Sequence, residues 1–291
     1  MVEGWCEMMT IEKFGVLPST PEGIRACATG MKVKALDQKD FPGWEDALEK
    51  RTRHLMTIMR KQNQKRNDCE GNGTANGAEA QWQYVTGEMT QFSDMYAYQA
   101  SERIMGRGSV GRDAGATIET GVTVRSEGIK ALGVASGLPL ESEWRYDSYE
   151  RDVVRFEMRA KAVKITNTYV AEHGNLPDFQ QFLVCMAAGG VGHIGTYWPF
   201  RESAVAGLKL MDTLPTGGGG HCTEIIGAIR ENGRWYLAVW NSHGYGAYLM
   251  SQKCYDQAQS RRWSPFGGYL IMPDKPVERY HDRRASGGGY V

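Results

Sequence analysis

Apolar residues recur at helical spacing in the first half of the chain. Between positions 44 and 58 they fall at intervals of four, seven and three, which puts them on one face of a helix within 43–62. Residues 93–106 begin with a serine suited to an N-cap and end at a glycine, so they predict a second helix. Residues 115–128 predict a further helix that stops at Gly128. The chain is therefore predicted to be mostly helical up to about residue 145.

Strand-like patterns dominate the second half of the chain. Short β-branched and aromatic runs occur at 153–159, 161–168, 193–198, 222–229, 235–240 and 267–272, with a helix predicted near 177–189. A helical half followed by a strand-rich half indicates an α+β fold, with a natural cleft between two lobes. We find no internal repeat, and the last 19 residues read as a loose tail.

One segment has conflicting signals. From Cys69 to Val85 the chain holds three glycines and Asn76, so its own helix propensity is poor. A helix there needs support from tertiary packing, and close packing of a buried central helix is one reason to keep glycines in it.

The composition excludes several classes of protein. Among 291 residues, 34 basic and 34 acidic side chains balance, so no overall charge favours nucleic acid or an anionic membrane. The N-terminus carries no apolar stretch of the secretory type, and no segment approaches the length of a membrane span. We expect a cytoplasmic location, with association with a virus particle as the alternative. The six cysteines are scattered without a C-x-x-C pair, which predicts reduced thiols, no zinc site and no cofactor.

Two distant segments carry the candidate chemistry. Cys69 begins a run of small residues, and His221 and Asn241 lie near the ends of two strands joined by Asn232-Gly233. Asn-Gly is a strong signal for a tight hairpin, and with this turn opposing residues sum to 465. Asn241 then lies opposite Glu224, and both candidate side chains lie at the same end of one hairpin. Cys, His and Asn in this order suit a thiol nucleophile, its base and the group that orients the base.

Each of these residues also has a plain structural interpretation. A single cysteine is more often a small buried apolar residue, and a histidine at a strand end is often only a cap. The polar surroundings of Cys69 and the asparagine at the same end of the hairpin favour the chemical interpretation.

The residues that follow Cys69 resemble the nucleophile helix of papain-like cysteine peptidases. The matching features are Glu79, Thr86-Gly87 and Phe92-Ser93, together with D-A-G-A-T-I-E…E-G-I…W-R-Y over 113–146, A-A-G-G-V-G-H-I-G over 187–195, G-H-C-T-E-I-I-G over 220–227 and W-N-S-H-G over 240–244. The resemblance covers roughly 58–272. It implies a two-lobed fold, in which a helical lobe with a central nucleophile helix packs against an antiparallel β-barrel-like lobe.

The resemblance also implies a domain plan and a set of roles. The plan is an N-terminal extension over 1–50, a catalytic domain over 51–272 whose helical lobe ends near 145, and a C-terminal tail over 273–291. The implied roles are Cys69 as nucleophile, His221 as general acid/base, Asn241 as orienter, Gln62 (with Gln64 as the alternative) and the Cys69 backbone N–H as oxyanion donors, and Ala114, Gly115 and Gly220 as substrate-binding residues. The implied substrate is an extended peptide or protein, and the peptide cross-links of a cell wall are one candidate of this class.

Three departures from the family pattern motivate a second hypothesis, and the first is that Gln62 lies one residue farther from Cys69 than is usual. Glu70 stands where the family has tryptophan, and a carboxylate there would raise the pKa of the thiol. His243 replaces the tryptophan that shields the Asn–His hydrogen bond from water. The alternative is a papain-like protein without turnover that serves as a structural or binding component, for example of a phage particle. A compact cell-wall amidase of another thiol fold is disfavoured because such folds place Cys and His closer than the 152 residues here.

The remaining motifs give weaker evidence for a functional site. The glycine run at 217–220 precedes a strand, so it is not a phosphate-binding loop, and the run at 106–111 reads as an ordinary loop. His193 is predicted to be a structural histidine. The basic cluster at 60, 61, 65 and 66 is predicted to be a solvated face that could favour acidic substrates.

Overall fold

A computed structural model describes residues 42–106, 113–126, 137–145, 167–171, 176–198, 203–244, 246–259 and 265–273. The helices are α1 (Trp44–Ile58), α2 (Cys69–Thr86), α3 (Asp94–Ile104), α4 (Ile118–Ser126), α5 (Phe179–Ala187) and α6 (Gln252–Ala258). The strands are β1 (Asn167–Ala171), β2 (Val191–Trp198), β3 (Ser203–Val205), β4 (Leu208–Met211), β5 (Gly219–Glu231), β6 (Arg234–Asn241), β7 (Gly246–Met250) and β8 (Gly268–Pro273).

These elements confirm the predicted α+β order of helices before strands. The four predicted helices and the predicted strands at 193–198, 222–229, 235–240 and 267–272 are present with small changes in their bounds. β3, β4, β7 and α6 are additional. Residues 1–41, 107–111, Gly128, 153–159, 161–166 and 274–291 lie outside the described residues, and of the predicted strand 161–168 only the last two residues belong to β1. Helix α1 crosses residue 51, and the division at that point stays a prediction.

The described strands form one open sheet. Their order is β1-β8-β2-β5-β6-β7-β4-β3, and every pair is antiparallel except β4 with β7. This sheet forms the predicted antiparallel lobe, although it is open and does not close into a barrel, with β1 and β3 as its edges among the described residues. Closure depends on how the edge strands meet, which no local pattern records.

Helix α2 is the central helix of the fold and packs against α3 and β5. Nearly all of its residues are buried. A Cβ on Gly77 would lie 2.0 Å from Glu224 Oε1, and a Cβ on Gly73 would lie 2.8 Å from Cys222 Sγ. The glycines therefore let the sheet approach the helix backbone closely, and this packing outweighs the poor local propensity.

Local signals fix the neighbouring helices. The Ser93 hydroxyl accepts a hydrogen bond from the Tyr96 N–H at 3.0 Å, which confirms the predicted N-cap of α3. On α1 the apolar face buries Trp44, Leu48 and Leu55.

The β5–β6 hairpin has the predicted turn but not the predicted register along its whole length. Asn232 and Gly233 both have positive φ, as a two-residue hairpin turn of this type requires. Pairs near the turn sum to 465, but the register shifts between Ile225 and Gly227, so that Glu224 pairs with Trp240. The predicted pairing of Asn241 with Glu224 is therefore wrong, because a β-bulge inserts one extra residue into β5.

The bulge changes which face Asn241 occupies. In an unbulged hairpin His221 would lie opposite Gly244, three residues from Asn241, so their side chains would point to opposite faces. With the shift, continuing the register by one residue puts Asn241 opposite Thr223. Thr223 and His221 are two residues apart and share a face, so the bulge brings the two candidate side chains to one side of the sheet.

The four cysteines within the described residues are free thiols, in agreement with the prediction for them: Cys69, Cys185, Cys222 and Cys254. No helix in the described part of the chain is long and apolar enough to cross a membrane.

Candidate active site

Cys69 is the first residue of α2. Asp68 is its N-cap, and the side chain of Cys69 is fully buried. The backbone N–H of Cys222 donates to Cys69 Sγ at 3.4 Å. This N–H belongs to the peptide unit that joins His221 to Cys222, so the thiol lies one peptide unit from His221. An N–H donor and a helix N-terminus both favour the negative charge of a thiolate.

His221 and Asn241 are hydrogen-bonded. His221 Nε2 lies 2.9 Å from Asn241 Oδ1, and the His243 backbone N–H donates to the same oxygen at 3.2 Å. Because a backbone N–H can only donate, Oδ1 is the acceptor, and Nε2 of His221 therefore carries the proton. Nδ1 is then the ring nitrogen that can exchange a proton with a thiol. This tautomer is the one an orienting amide would select.

Two aromatic rings enclose the His221 imidazole. His243 stacks on it with ring centroids 4.3 Å apart and an interplanar angle of 19°, and Trp198 packs at 4.7 Å. Burial lowers the pKa of His221 well below its usual value, and the neighbouring His243 lowers that pKa further, whereas the hydrogen bond to Asn241 raises it. His221 and Asn241 are fully buried together with Cys69. In this arrangement the histidine is favoured in its neutral form.

Glu70 differs from the sequence-based expectation. Its side chain is fully buried and accepts a hydrogen bond from the Thr74 hydroxyl at 2.7 Å. Burial above all, with the nearby Glu224 and Asp68, raises its pKa to about 8, although its hydrogen bonds to Thr74 and Ser101 lower it. Glu70 is thus mostly protonated at neutral pH. Near pH 7 it therefore contributes little of the negative charge that was expected to raise the thiol pKa.

A buried polar network lies behind the site. His193 Nδ1 lies 2.6 Å from Glu224 Oε2, and Arg125 Nη1 lies 3.3 Å from Glu224 Oε1. Arg125 also donates to Gln81, which donates in turn to a backbone carbonyl of β8. His193 is therefore a satisfied structural histidine, as predicted. The ion pair joins α4 to β5 beside Gly77 of α2, and loss of either partner would leave an uncompensated buried charge.

The candidate oxyanion residues have partners of their own. The Gln62 side-chain amide is buried and donates to Asp94 Oδ2 at 2.9 Å. The Gln64 side chain donates to the Arg66 carbonyl at 3.1 Å and accepts a hydrogen bond from the Ser242 hydroxyl. The Gln64 backbone N–H donates to the Ser242 carbonyl at 2.8 Å, which ties this segment to the residue after Asn241. The Gln62 carbonyl likewise accepts from the Gly244 N–H at 2.6 Å, so the two glutamines differ in that only the Gln64 side chain contacts Ser242.

The three predicted substrate-binding residues occupy different settings. Gly115 has φ of 82° and its N–H donates to the Tyr98 hydroxyl at 3.1 Å, while Ala114 next to it is exposed. Gly220 pairs with Tyr197 at the start of β5, directly before His221.

The basic cluster is only partly a solvated face. Arg60 donates to the Phe92 carbonyl at 3.0 Å and lies 3.4 Å from Asp94 Oδ2. Its guanidinium is therefore partly buried against the start of α3 and is not simply solvated. Lys61 and Lys65 are exposed and line a cavity of about 190 Å³ that Gln62 also lines. Within the described ranges no cluster of three or more His, Cys, Asp or Glu side chains could hold a metal ion.

Several contributors to the site are invisible in the sequence. Trp198 reaches His221 because β2 pairs with β5, with Thr196 opposite His221. The Cys222 N–H contributes through its backbone, which no residue type reveals. A strand that ends in an aromatic residue is the only available signal for Trp198, and it does not specify a partner.

Comparison with solved structures shows the same fold in cysteine proteases. The chain superposes on xylellain, a cysteine protease from Xylella fastidiosa, with a TM-score of 0.55, 16% identity, and coverage of 91% of this chain and 98% of that one. It superposes on procathepsin B S9 from Trypanosoma congolense with a TM-score of 0.52, 13% identity, and coverage of 94% and 92%. Procathepsin L 3 of the Tenebrio molitor larval midgut gives 0.55, 14%, and coverage of 90% and 76%.

Comparisons by sequence gave no match, either to family models or to curated proteins. The structural likeness therefore establishes the papain-like fold of this chain, and the chemistry depends on the site itself.

Proposed function

We propose that this chain is a papain-like cysteine peptidase that hydrolyses peptide bonds with Cys69, His221 and Asn241. The observation that carries the proposal is the meeting of three elements at one point. Cys69 is the first residue of the central helix, and its sulfur accepts a hydrogen bond from the N–H of the peptide unit after His221. His221 Nε2 lies 2.9 Å from Asn241 Oδ1. The papain-like fold, shared with known cysteine proteases, supports the same conclusion.

In the proposed reaction, His221 Nδ1 takes the proton of the Cys69 thiol and the thiolate attacks the scissile carbonyl carbon. His221 then gives that proton to the leaving amine as the C–N bond breaks. Water, deprotonated by His221, attacks the resulting thioester and releases the acid and the thiol. Asn241 keeps Nε2 protonated and the ring oriented throughout.

The oxyanion would be stabilised by the Cys69 backbone N–H and a glutamine amide. Each donor of this kind contributes on the order of 3 kcal/mol to the transition state. Gln62 donates to Asp94, a buried carboxyl whose pKa burial raises, so its amide is committed to the interior. We therefore favour Gln64, which the Ser242 contact holds beside the site, and expect Gln64→Ala to lower kcat more than Gln62→Ala.

The substrate class that we propose is an extended peptide, with Ala114, Gly115 and Gly220 at its edges. The exposed amines of Lys61 and Lys65 would favour acidic residues in the part of the peptide that passes over Gln62 and Gln64.

The test is the rate of Cys69 alkylation by iodoacetamide from pH 4 to 9, read by mass spectrometry. We expect a plateau that extends below pH 7 in the wild type and disappears in His221→Ala. Peptide-library cleavage should be lost in Cys69→Ala. An ordinary thiol titration in both the wild type and His221→Ala would refute the proposal.

One observation favours the second candidate, a papain-like structural or binding component of a larger assembly such as a phage particle. Cys69, His221 and Asn241 are all fully buried, which is the opposite of what an open active site requires. Under this alternative, Cys69 should react with iodoacetamide no faster than the buried thiols of Cys185 and Cys222. The same alkylation experiment therefore separates the two functions.

A further inference from the structure

We propose that His243 restrains the peptidase at acidic pH, because a proton on its ring opposes the imidazolium form of His221. The inference rests on the proposed function and adds a residue that sets its pH range. It makes His243 a positioning residue whose charge acts through His221.

The geometry of the two rings carries the inference. They stack with centroids 4.3 Å apart and an interplanar angle of 19°, so each lies over the face of the other. The His243 backbone N–H also donates to Asn241 Oδ1, the oxygen that accepts from His221, so the backbone that carries the His243 ring is tied to the same oxygen. An extended-strand bridge between Asn63 and His243 fixes the segment from the other side.

The surroundings enhance the coupling between the rings. Trp198 packs against both imidazoles, at 4.7 Å from His221 and 5.5 Å from His243. His221 is fully buried and His243 is half-buried, so little water screens charges on the two rings. Two like charges at this separation in such surroundings repel strongly.

Other charged groups lie on the elements around the stack. On α2 and its cap these are Cys69 itself with Asp68 and Glu70, and Glu70 turns away to the Thr74 hydroxyl. On the segment that pairs with His243 they are Lys61 and Lys65, which flank Asn63. The lysine charges act in the same direction as a protonated His243, whereas the thiolate and the Asp68 carboxyl favour a positive His221. The direction of the His243 effect on the pKa of His221 is accordingly downward.

The functional consequence concerns the thiolate–imidazolium pair. Attack requires that His221 hold the proton taken from Cys69. When the His243 ring is neutral, the pair can form. When that ring carries a proton, formation of the pair would place two positive rings in contact. The restraint comes from an ionisable ring at a position where a neutral aromatic ring would have no such effect.

The experiment compares alkylation profiles of the wild type, His243→Phe and His243→Trp between pH 4 and 9, each normalised to its own plateau. Phenylalanine preserves a stacked ring but cannot take a proton. We expect the acid midpoint of His243→Phe to fall by about one pH unit, which is about a tenfold faster relative rate on the acid limb. His243→Trp should move in the same direction.

A third variant, His243→Asn, removes both the ring and its proton, whereas His243→Phe removes only the proton. Comparison of the two variants therefore separates the effect of charge from that of stacking. A midpoint that falls in the Phe, Trp and Asn variants alike supports the charge effect. Coincident acid midpoints in the wild type and His243→Phe would overturn the inference while leaving the peptidase proposal intact. If no profile shows a plateau that depends on His221, the peptidase proposal itself fails.

Discussion

Replacement of Gly73 by alanine should destabilise the protein, although alanine is the better helix former. A Cβ at position 73 would lie 2.8 Å from Cys222 Sγ and 3.1 Å from His193 Cε1. Both neighbours are buried, and the His193 ring is held by Glu224 at 2.6 Å. The new methyl group therefore meets atoms that have little room to move.

Two opposing contributions decide the sign. Glycine to alanine within a helix gains about 1 kcal/mol from propensity. Forcing one extra carbon into a well-packed core costs about 1–3 kcal/mol. We therefore expect a net loss of about 1 kcal/mol in the free energy of unfolding for Gly73→Ala.

A double-mutant cycle isolates the cause. Cys222→Ala alone removes a buried sulfur and should cost about 1–2 kcal/mol as a small cavity. In that background the nearest obstacle to the alanine at position 73 is gone, so Gly73→Ala should become neutral or stabilising. The two substitutions should couple favourably by about 1–2 kcal/mol, as expected for residues in direct contact.

The assay is urea unfolding of the four proteins, followed by tryptophan fluorescence, with equal m-values as the check that the transitions are comparable. Additivity within about 0.5 kcal/mol would refute the reasoning, because it would mean that Gly73 and Cys222 do not compete for the same space.

Three further predictions follow from the hairpin, the buried acids and the helix cap. Deletion of Ile226 should remove the bulge but leave Thr223 opposite Asn241, so the acid plateau of Cys69 alkylation should persist, as in Ile226→Val; loss of the plateau in the deletion variant alone would contradict this account of the register. The folded pKa of Glu70, about 8, lies above its unfolded value, so its protonated form contributes stability below pH 4.5 that is lost as the pH rises towards 8. Glu70→Gln should therefore flatten the fall of the unfolding free energy between pH 5 and 8, and an identical slope in urea titrations at each pH would count against it. Ser93→Ala should cost at least about 1 kcal/mol by removing the cap of α3, while Ser93→Thr, whose hydroxyl can still accept from the Tyr96 N–H and donate to the Trp144 carbonyl, should retain most of it in the same unfolding assay.

The sequence by itself determined the local elements of this protein. Spacing of apolar residues predicted α1, a serine predicted the start of α3, and Asn232-Gly233 predicted the hairpin turn, because each depends on residues adjacent in the chain. The order of Cys69, His221 and Asn241, with the resemblance to papain-like peptidases, also indicated the candidate site.

Only the tertiary structure decided how these pieces act together. The bulge at Ile226 that brings Asn241 to the face of His221 leaves no local signature, since it reflects how β5 must bend against its neighbours. Helix α2 forms against its own propensity because packing on β5 compensates for its glycines. The state of Glu70 likewise depends on burial, which turned an expected charge beside the thiol into a mostly neutral acid at pH 7. Helix starts, helix faces and tight turns depend on neighbouring residues, so the sequence predicts them. Strand register, burial and charge state depend on residues far apart in the chain, so only the tertiary structure shows them.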